Sequence, residues 1–269
     1  MTRKTAVAAG ALLAGAVTAL AAAPASAQET GTVYVVHGIP DTPVDVYVDG
    51  TRALDDFQPG TYQGPLELPA GTYDVDIFPA DAPDGSGTPL LTAPATLGGG
   101  DNVTLVAHLT ESGDPTITPF VNDVSNVPAG QARVVVRHTA AAPAVDVLAG
   151  GSPVVSGLSN PEQEALEVPA GTISAAVAAA GTTAPVIGPA DLALTEGTAT
   201  FVHAIGSLEA GNLSLVAFTV SGLHSSPSGV DSGTSPSDTL PVWLTVGALT
   251  GLVLVGGAGA RLVAARSRV

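Results

Sequence analysis

The 269-residue chain has no cysteine, and only eight of its residues are lysine or arginine. The missing thiols exclude disulfide bridges, thiol catalysis and cysteine-based metal centres. Domains of about 90 residues can bury enough surface to fold without such bridges. Five of the basic residues sit near the ends, at Arg3, Lys4, Arg261, Arg266 and Arg268. All 24 acidic residues lie between them, accompanied only by Arg52, Arg133 and Arg137. That balance excludes nucleic acid as a partner, because binding it requires a basic footprint. An acidic surface stays soluble and attracts divalent cations or basic proteins. Aromatic side chains make up only 4% of the chain, which leaves no stacking platform for sugars or bases. No long amphipathic helix is legible between Gln28 and Asp238. The Gly-x-Ser-x-Gly, His-Glu-x-x-His and Gly-x-x-x-x-Gly-Lys signatures are all absent, so the expectation is a protein that is not an enzyme.

What is present is a duplication. Val33-Tyr34-Val35-Val36-His37 and Val44-Asp45-Val46 return as Val134-Val135-Val136-Arg137-His138 and Val145-Asp146-Val147. Leu66-Glu67-Leu68-Pro69-Ala70-Gly71-Thr72 returns as Leu166-Glu167-Val168-Pro169-Ala170-Gly171-Thr172. The register is 101 residues in the first stretch and 100 in the second, so one residue is lost between them. Within each copy, short Val-, Thr- and Ile-rich segments alternate with Gly, Pro and Asp turns. Val44, Val46 and Val48 share one face, with Asp45, Tyr47 and Asp49 on the other, and Tyr73, Val75 and Ile77 alternate with Asp74 and Asp76. Period-two patterning of this kind marks strands with one buried and one wet face. Further strands are expected over 90–97, 102–109 and 116–121, with Gly98-Gly99-Gly100 as a hairpin turn. The predicted fold class is all-β, with two tandem antiparallel immunoglobulin- or transthyretin-like β-sandwiches over 28–122 and 132–220, joined by a hinge at 123–131. The second copy carries more alanine, so its core is expected to be thinner.

The ends read as transport signals. Arg3 and Lys4, an apolar run and Ala25-Ser26-Ala27 form the pattern of a secretory signal peptide over 1–27. Residues 221–240 are rich in Ser, Gly and Pro and read as a flexible stalk. Residues 241–260 carry no charge and at 1.5 Å per residue reach roughly 30 Å, the thickness of a bilayer core. Arg261, Arg266 and Arg268 make 261–269 a basic cytoplasmic tail. The expectation is a single-pass cell-membrane protein, held by one C-terminal transmembrane helix, with the repeats extracytoplasmic and the C-terminus inside. Its partners would be the membrane and a protein or envelope component.

Candidate chemistry concentrates in the first copy. Asp41, Asp45 and Asp49 recur every fourth residue and are the candidate metal ligands, offering hard oxygens suited to calcium. The alternative is that they are solvated surface charge. His37 and Asp45, repeated as His138 and Asp146, make either a metal or acid–base pair, or a structural device in which the histidine fixes a turn and the aspartate accepts from backbone N–H groups. His108 and His203 fall on apolar strands, one position out of register, as incidental placements.

The run Val35-Val36-His37-Gly38-Ile39-Pro40-Asp41-Thr42-Pro43-Val44-Asp45-Val46-Tyr47-Val48-Asp49-Gly50, followed by Leu68-Pro69-Ala70-Gly71-Thr72-Tyr73, resembles the DUF4397 family, a bacterial extracytoplasmic domain often found in tandem. In the second copy Ala140-Ala141-Ala142 stands where the first has Ile39-Pro40-Asp41, so any role of Asp41 is missing there. The resemblance implies a β-sandwich and a place in the cell envelope, with no catalytic residues to carry over. The leading functional expectation is a non-enzymatic, membrane-anchored extracytoplasmic protein presenting tandem β-sandwich modules for binding or envelope structure. A calcium-stabilised adhesion module and an envelope hydrolase are the alternatives.

Overall fold

A computed structural model describes residues 29–224. The expected signal peptide, transmembrane helix and tail, and all but the first four residues of the expected stalk, lie outside the described residues. No helix among the described residues is long and apolar enough to cross a membrane.

The first copy contains eight strands, β1 (Thr30–His37), β2 (Val44–Val48), β3 (Thr51–Phe57), β4 (Tyr62–Pro69), β5 (Gly71–Pro79), β6 (Leu91–Leu97), β7 (Asn102–Leu109) and β8 (Pro115–Val121). The second contains β9 (Gln131–His138), β10 (Val145–Ala149), β11 (Ser152–Leu158), β12 (Gln163–Pro169), β13 (Gly171–Ala179), β14 (Pro185–Leu194), β15 (Ala199–Ile205) and β16 (Ser214–Val220). Each copy builds two four-stranded sheets. An inner sheet has the order β4-β1-β7-β8 in the first copy and β12-β9-β15-β16 in the second. An outer sheet has the order β3-β2-β5-β6 in the first and β11-β10-β13-β14 in the second. The strand orders correspond one for one, so the duplication read from the sequence is a duplication of topology.

The sheets depart from the expected antiparallel pattern in one place per copy. β1 runs parallel to β7, and β9 runs parallel to β15. The cause lies at Gly98-Gly99-Gly100. These residues do not close a hairpin, because β6 and β7 belong to different sheets. They carry the chain across the sandwich and deliver β7 beside the start of β1, where Gly100 N–H donates to the Thr30 carbonyl and Thr32 N–H to that of Asp101.

Alternation along the inner strands explains how the copies meet. In β1, Val33 and Val35 face the outer sheet, while Tyr34 and Val36 face away from it. In β9, Val134 and Val136 pack toward the outer sheet and Val135 faces away. The faces pointing away bury each other: Tyr34, Val36, Val106 and Phe120 share one core cluster with Val135, Phe201, Val216 and Phe218. Both faces of the central strands of each inner sheet are therefore largely dry, while the edge strands β4, β8, β12 and β16 keep exposed residues. Five of the nine Tyr and Phe residues gather here, with Phe218 stacked on Tyr34 at 4.3 Å and contacting Phe201 and Tyr62.

The segment 123–131, expected as a hinge, is strapped down. Val127 is 1% exposed and its N–H donates to the Leu223 carbonyl. Arg133 donates to the carbonyls of Asp123 and Ser125 and pairs with the carboxylates of Asp123 and Glu167. The expected wet face of β2 is also covered. Asp45 and Tyr47 are 0% and 3% exposed: β3 covers Asp45 through Asp56 N–H and Arg52, and the loop after β5 lays Gly85 against the Tyr47 ring.

Candidate functional site

The three aspartates proposed as calcium ligands do not converge, and the described residues hold no group of three or more His, Asp or Glu side chains placed to bind a metal ion. Each has a local task instead. Asp41 is exposed in a turn with φ of 61°. Asp49 turns the chain between β2 and β3 with φ of 48°, and its carboxylate accepts from Asp74 N–H. Asp45 is buried, with Oδ1 accepting from Asp56 N–H and Oδ2 3.5 Å from the Arg52 guanidinium.

Three of the aspartates that make the first copy acidic have a backbone explanation that no spacing argument reveals. Asp49, Asp56 and Asp81 all adopt positive φ, and the second copy places Gly150, Gly157 and Gly181 at the same positions, again with positive φ. Glycine enters the left-handed region freely, while aspartate is among the few other residues that tolerate it. The chain has met one steric demand in two ways, and one of them adds charge. The Asp56 carboxyl is raised above the usual range by desolvation and by the charges of Asp81, Asp55 and Asp45.

The histidine–aspartate pairs are structural devices. His37 Nε2 donates to the Thr42 carbonyl at 2.8 Å, and His138 Nε2 donates to that of Pro143 at 3.0 Å, each fixing the turn before the next strand. Asp146 accepts from Gly157 and Gly181 N–H, so both its oxygens hold backbone. Burial lowers both imidazoles below the ordinary histidine range, and the turn carbonyls offset this only in part. They are neutral donors at neutral pH. One difference separates the copies. His138 Nδ1 lies 3.5 Å from Ala140 N–H, whereas His37 Nδ1 is buried without a partner.

The principal polar cluster lies between the copies, and sequence reasoning missed it. Arg137 is fully buried, with its guanidinium 4.6 Å from the Phe120 ring and 5.0 Å from that of Phe201. It donates to Asn122 Oδ1 at 2.6 Å, Gln163 Oε1 at 2.9 Å and His203 Nε2 at 3.1 Å. No carboxylate pairs with it among the described residues, and burial lowers its pKa to about 9. It stays charged at neutral pH, stabilised by two ring faces and three neutral acceptors. His203, taken from its position as incidental, is therefore a member of the network. Burial, with the Arg137 charge, lowers its pKa to about 3. His108 is engaged as well, with Nδ1 on the Leu109 carbonyl and Nε2 on the Thr118 hydroxyl. The repeat register held a clue. Val36 aligns with Arg137, so copy one carries an apolar residue where copy two carries a cation.

An apolar cavity of about 130 Å3 lies between the sheets of the first copy, and His37 is among its lining residues. The second copy encloses about 170 Å3, lined by Val134, Val136 and Leu148 among others.

Two eight-stranded, two-sheet units, fused through their inner sheets, define an all-β tandem module. Residues 31–148 match the model of the family described as Domain of unknown function (DUF4397). The match spans the strands of the first copy and extends into β10 of the second. Among curated proteins, none matches the chain.

Proposed function

We propose that this is a non-enzymatic protein of the cell envelope, held in the cell membrane by residues 241–260 and presenting a rigid pair of β-sandwiches on the extracytoplasmic side for binding or envelope structure. Each sandwich is read as immunoglobulin- or transthyretin-like, and the second copy as a further DUF4397 domain. The observation that carries this reading is the shared core between the copies. A pair locked through Tyr34, Phe120, Phe201 and Phe218 offers a single stiff surface, which suits display better than two tethered modules would. The histidines support the non-enzymatic part, since His37, His108, His138 and His203 are each engaged with backbone, hydroxyl or Arg137. With 24 acidic residues against three arginines between the termini, a basic protein surface is the favoured partner.

The test is cell fractionation with protease shaving of intact bacterial cells expressing the full chain. The expected result is recovery in the membrane fraction and cleavage from outside within 221–240. Recovery of an uncleaved chain in the soluble interior would overturn the reading.

A further inference from the structure

Among the described residues the four sheets present eight edge strands, and seven of them carry a feature that discourages pairing with another chain. β3 holds Arg52, Asp55 and Asp56, β12 holds Glu164 and Glu167, and proline occurs within β4, β6, β8, β11 and β14. β3, β4, β11 and β14 also shift register against their neighbours. Charge, proline and bulges are the devices that blunt an exposed edge. β16 has none of them. Its seven residues are uncharged and free of proline, and they pair with β15 without a register shift. Alternate backbone N–H and C=O groups of such a strand point away from its single neighbour.

The side chains at that edge are open too. Val216 and Phe218 are buried in the core shared by the two copies, whereas Leu215, Ala217 and Thr219 between and beside them are exposed, Leu215 by 42%. The pairing of β1 with β7 and β8, and of β9 with β15 and β16, makes Ile117 the counterpart of Leu215 in the first copy. Ile117 is half-buried. There β6 packs along β8, while β14 does not close on β16 to the same extent. Exposed Tyr62 stands beside the strand, its ring 5.3 Å from that of Phe218, and exposed Leu208 lies in the turn that leads into it. Open backbone beside exposed apolar side chains is a surface for another strand.

The charge pattern selects the occupant. Neither β15 nor β16 contains Asp or Glu, so two copies of this acidic chain meeting here set no like charges opposite each other. A basic partner would find its counter-charge at β3 and β12 instead. An antiparallel pair of identical strands is also self-complementary about a two-fold axis. Centred on Ala217, it places each Ala217 against its own counterpart and each Leu215 against Thr219.

We propose that β16 is a self-association edge, where two copies of the chain join antiparallel and their inner sheets become one continuous sheet. The inference goes beyond the display role. A seven-residue edge is a small contact, so the dimer is reversible and depends on how densely the chains are packed.

Because the chain has no cysteine, a single introduced cysteine reports its own position. Ala217→Cys, Thr219→Cys and Ala165→Cys are made in the full chain, purified in mild detergent, oxidised with copper phenanthroline and separated without reductant. Across the two-fold axis, position 217 meets itself within the roughly 4.4–6.8 Å between Cα atoms that a disulfide spans, while the two copies of position 219 stand about 13 Å apart. Ala217→Cys should therefore give a linked dimer, with little from Thr219→Cys or from Ala165→Cys on the opposite edge β12. Mixing Leu215→Cys with Thr219→Cys should produce the link that neither gives alone. Adding Thr219→Lys to Ala217→Cys charges the edge and should reduce the dimer several-fold. If Ala217→Cys does not fold, the mixture of Leu215→Cys and Thr219→Cys decides. Equal linkage at positions 217, 219 and 165 signals collision or association elsewhere and overturns the proposal, as does a lack of linkage both at 217 and in the mixture.

Discussion

Arg137 and His203, on adjacent parallel strands, form a fully buried hydrogen bond of 3.1 Å in which the guanidinium donates to Nε2. The bond fixes the tautomer, because Nε2 must be unprotonated and the proton sits on Nδ1, facing the Val216 carbonyl at 3.3 Å. A protonated His203 would set two donors against each other beside a second positive charge. The interface is therefore built for a neutral histidine.

Acid should accordingly loosen the protein well before its carboxylates titrate. Burial lowers the pKa of His37, His108, His138 and His203, that of His203 to about 3. In the unfolded chain these groups titrate near 6.5. Below about pH 6.5 the unfolded state takes up protons that the folded state refuses, so stability present at neutral pH is lost as pH falls. For His203 the loss continues to about pH 3. The slope is at most about 1.4 kcal/mol per pH unit for each histidine. Asp84 and Asp123, lowered mainly by their serine hydrogen bonds, act in a separate window below about pH 4. Urea midpoints measured from pH 7 to pH 4.5 should decline, and His203→Gln should flatten the profile. A level wild-type profile over that range would contradict the assignment of neutral, buried imidazoles.

Removing the cation should cost more than removing the whole polar pair. Arg137→Ala leaves Gln163 and His203 without this donor, leaves Asn122 Oδ1 with the Thr104 hydroxyl alone, and opens a void between two phenyl rings. The combined loss is about 3–5 kcal/mol. The double variant R137V/H203V brings the apolar character of Val36 into copy two and should recover part of that loss. Chemical denaturation of R137V, H203V and the double variant R137V/H203V gives the coupling, expected at roughly 0.5–3 kcal/mol. Strict additivity would mean that the hydrogen bond contributes nothing.

Gly38 lies against Ile205 of the other copy with no room for a side chain. A Cβ there would stand 2.9 Å from Ile205 Cγ2 and 3.1 Å from the Ala107 carbonyl. Gly38→Ala should destabilise the pair by about 1–3 kcal/mol, the usual cost of overpacking. Ile205→Ala in the same chain should return a fraction of it, because the isoleucine can be trimmed while the Ala107 backbone cannot. Thermal melts of the two variants provide the comparison, and an unperturbed Gly38→Ala would show that the copies are not seated this closely in solution.

The paired Asp and Gly turns predict both a stabilising substitution and a null response to calcium. Asp81→Gly reproduces Gly181 of the second copy and relieves a left-handed aspartate, for a gain of about 1 kcal/mol. Added calcium at matched ionic strength should leave the melting midpoint unchanged, since Asp45 and Asp49 hold backbone in separate places and Asp41 is exposed in another turn. A site occupied at 100 times its dissociation constant would instead add about 2.7 kcal/mol, and that rise would restore the adhesion alternative.

Much of the strand placement was legible because its cues are local. Alternation at Val44–Val48 and Tyr73–Ile77 requires only neighbouring residues, and β7 begins and ends where the pattern placed it, at Asn102 and Leu109. The candidate site was not legible in the same way. Regular spacing made Asp41, Asp45 and Asp49 look like ligands, yet Asp45 points into one turn while Asp49 holds another strand.

What the sequence by itself determined is the duplication, the all-β class and many of the strand ends, because each follows from short-range periodicity and from the steric demands of single residues. The role of Gly98-Gly99-Gly100 as a crossover was not among them. Only the tertiary structure decided which faces are dry. The alternation in β1 and β9 marks two faces per strand but cannot say that the second face meets the other copy. That choice depends on partners far along the chain, such as Tyr34 with Phe218 and Arg137 with His203. It is made by packing, where excluding water from both inner sheets at once outweighs the cost of burying one arginine among neutral acceptors.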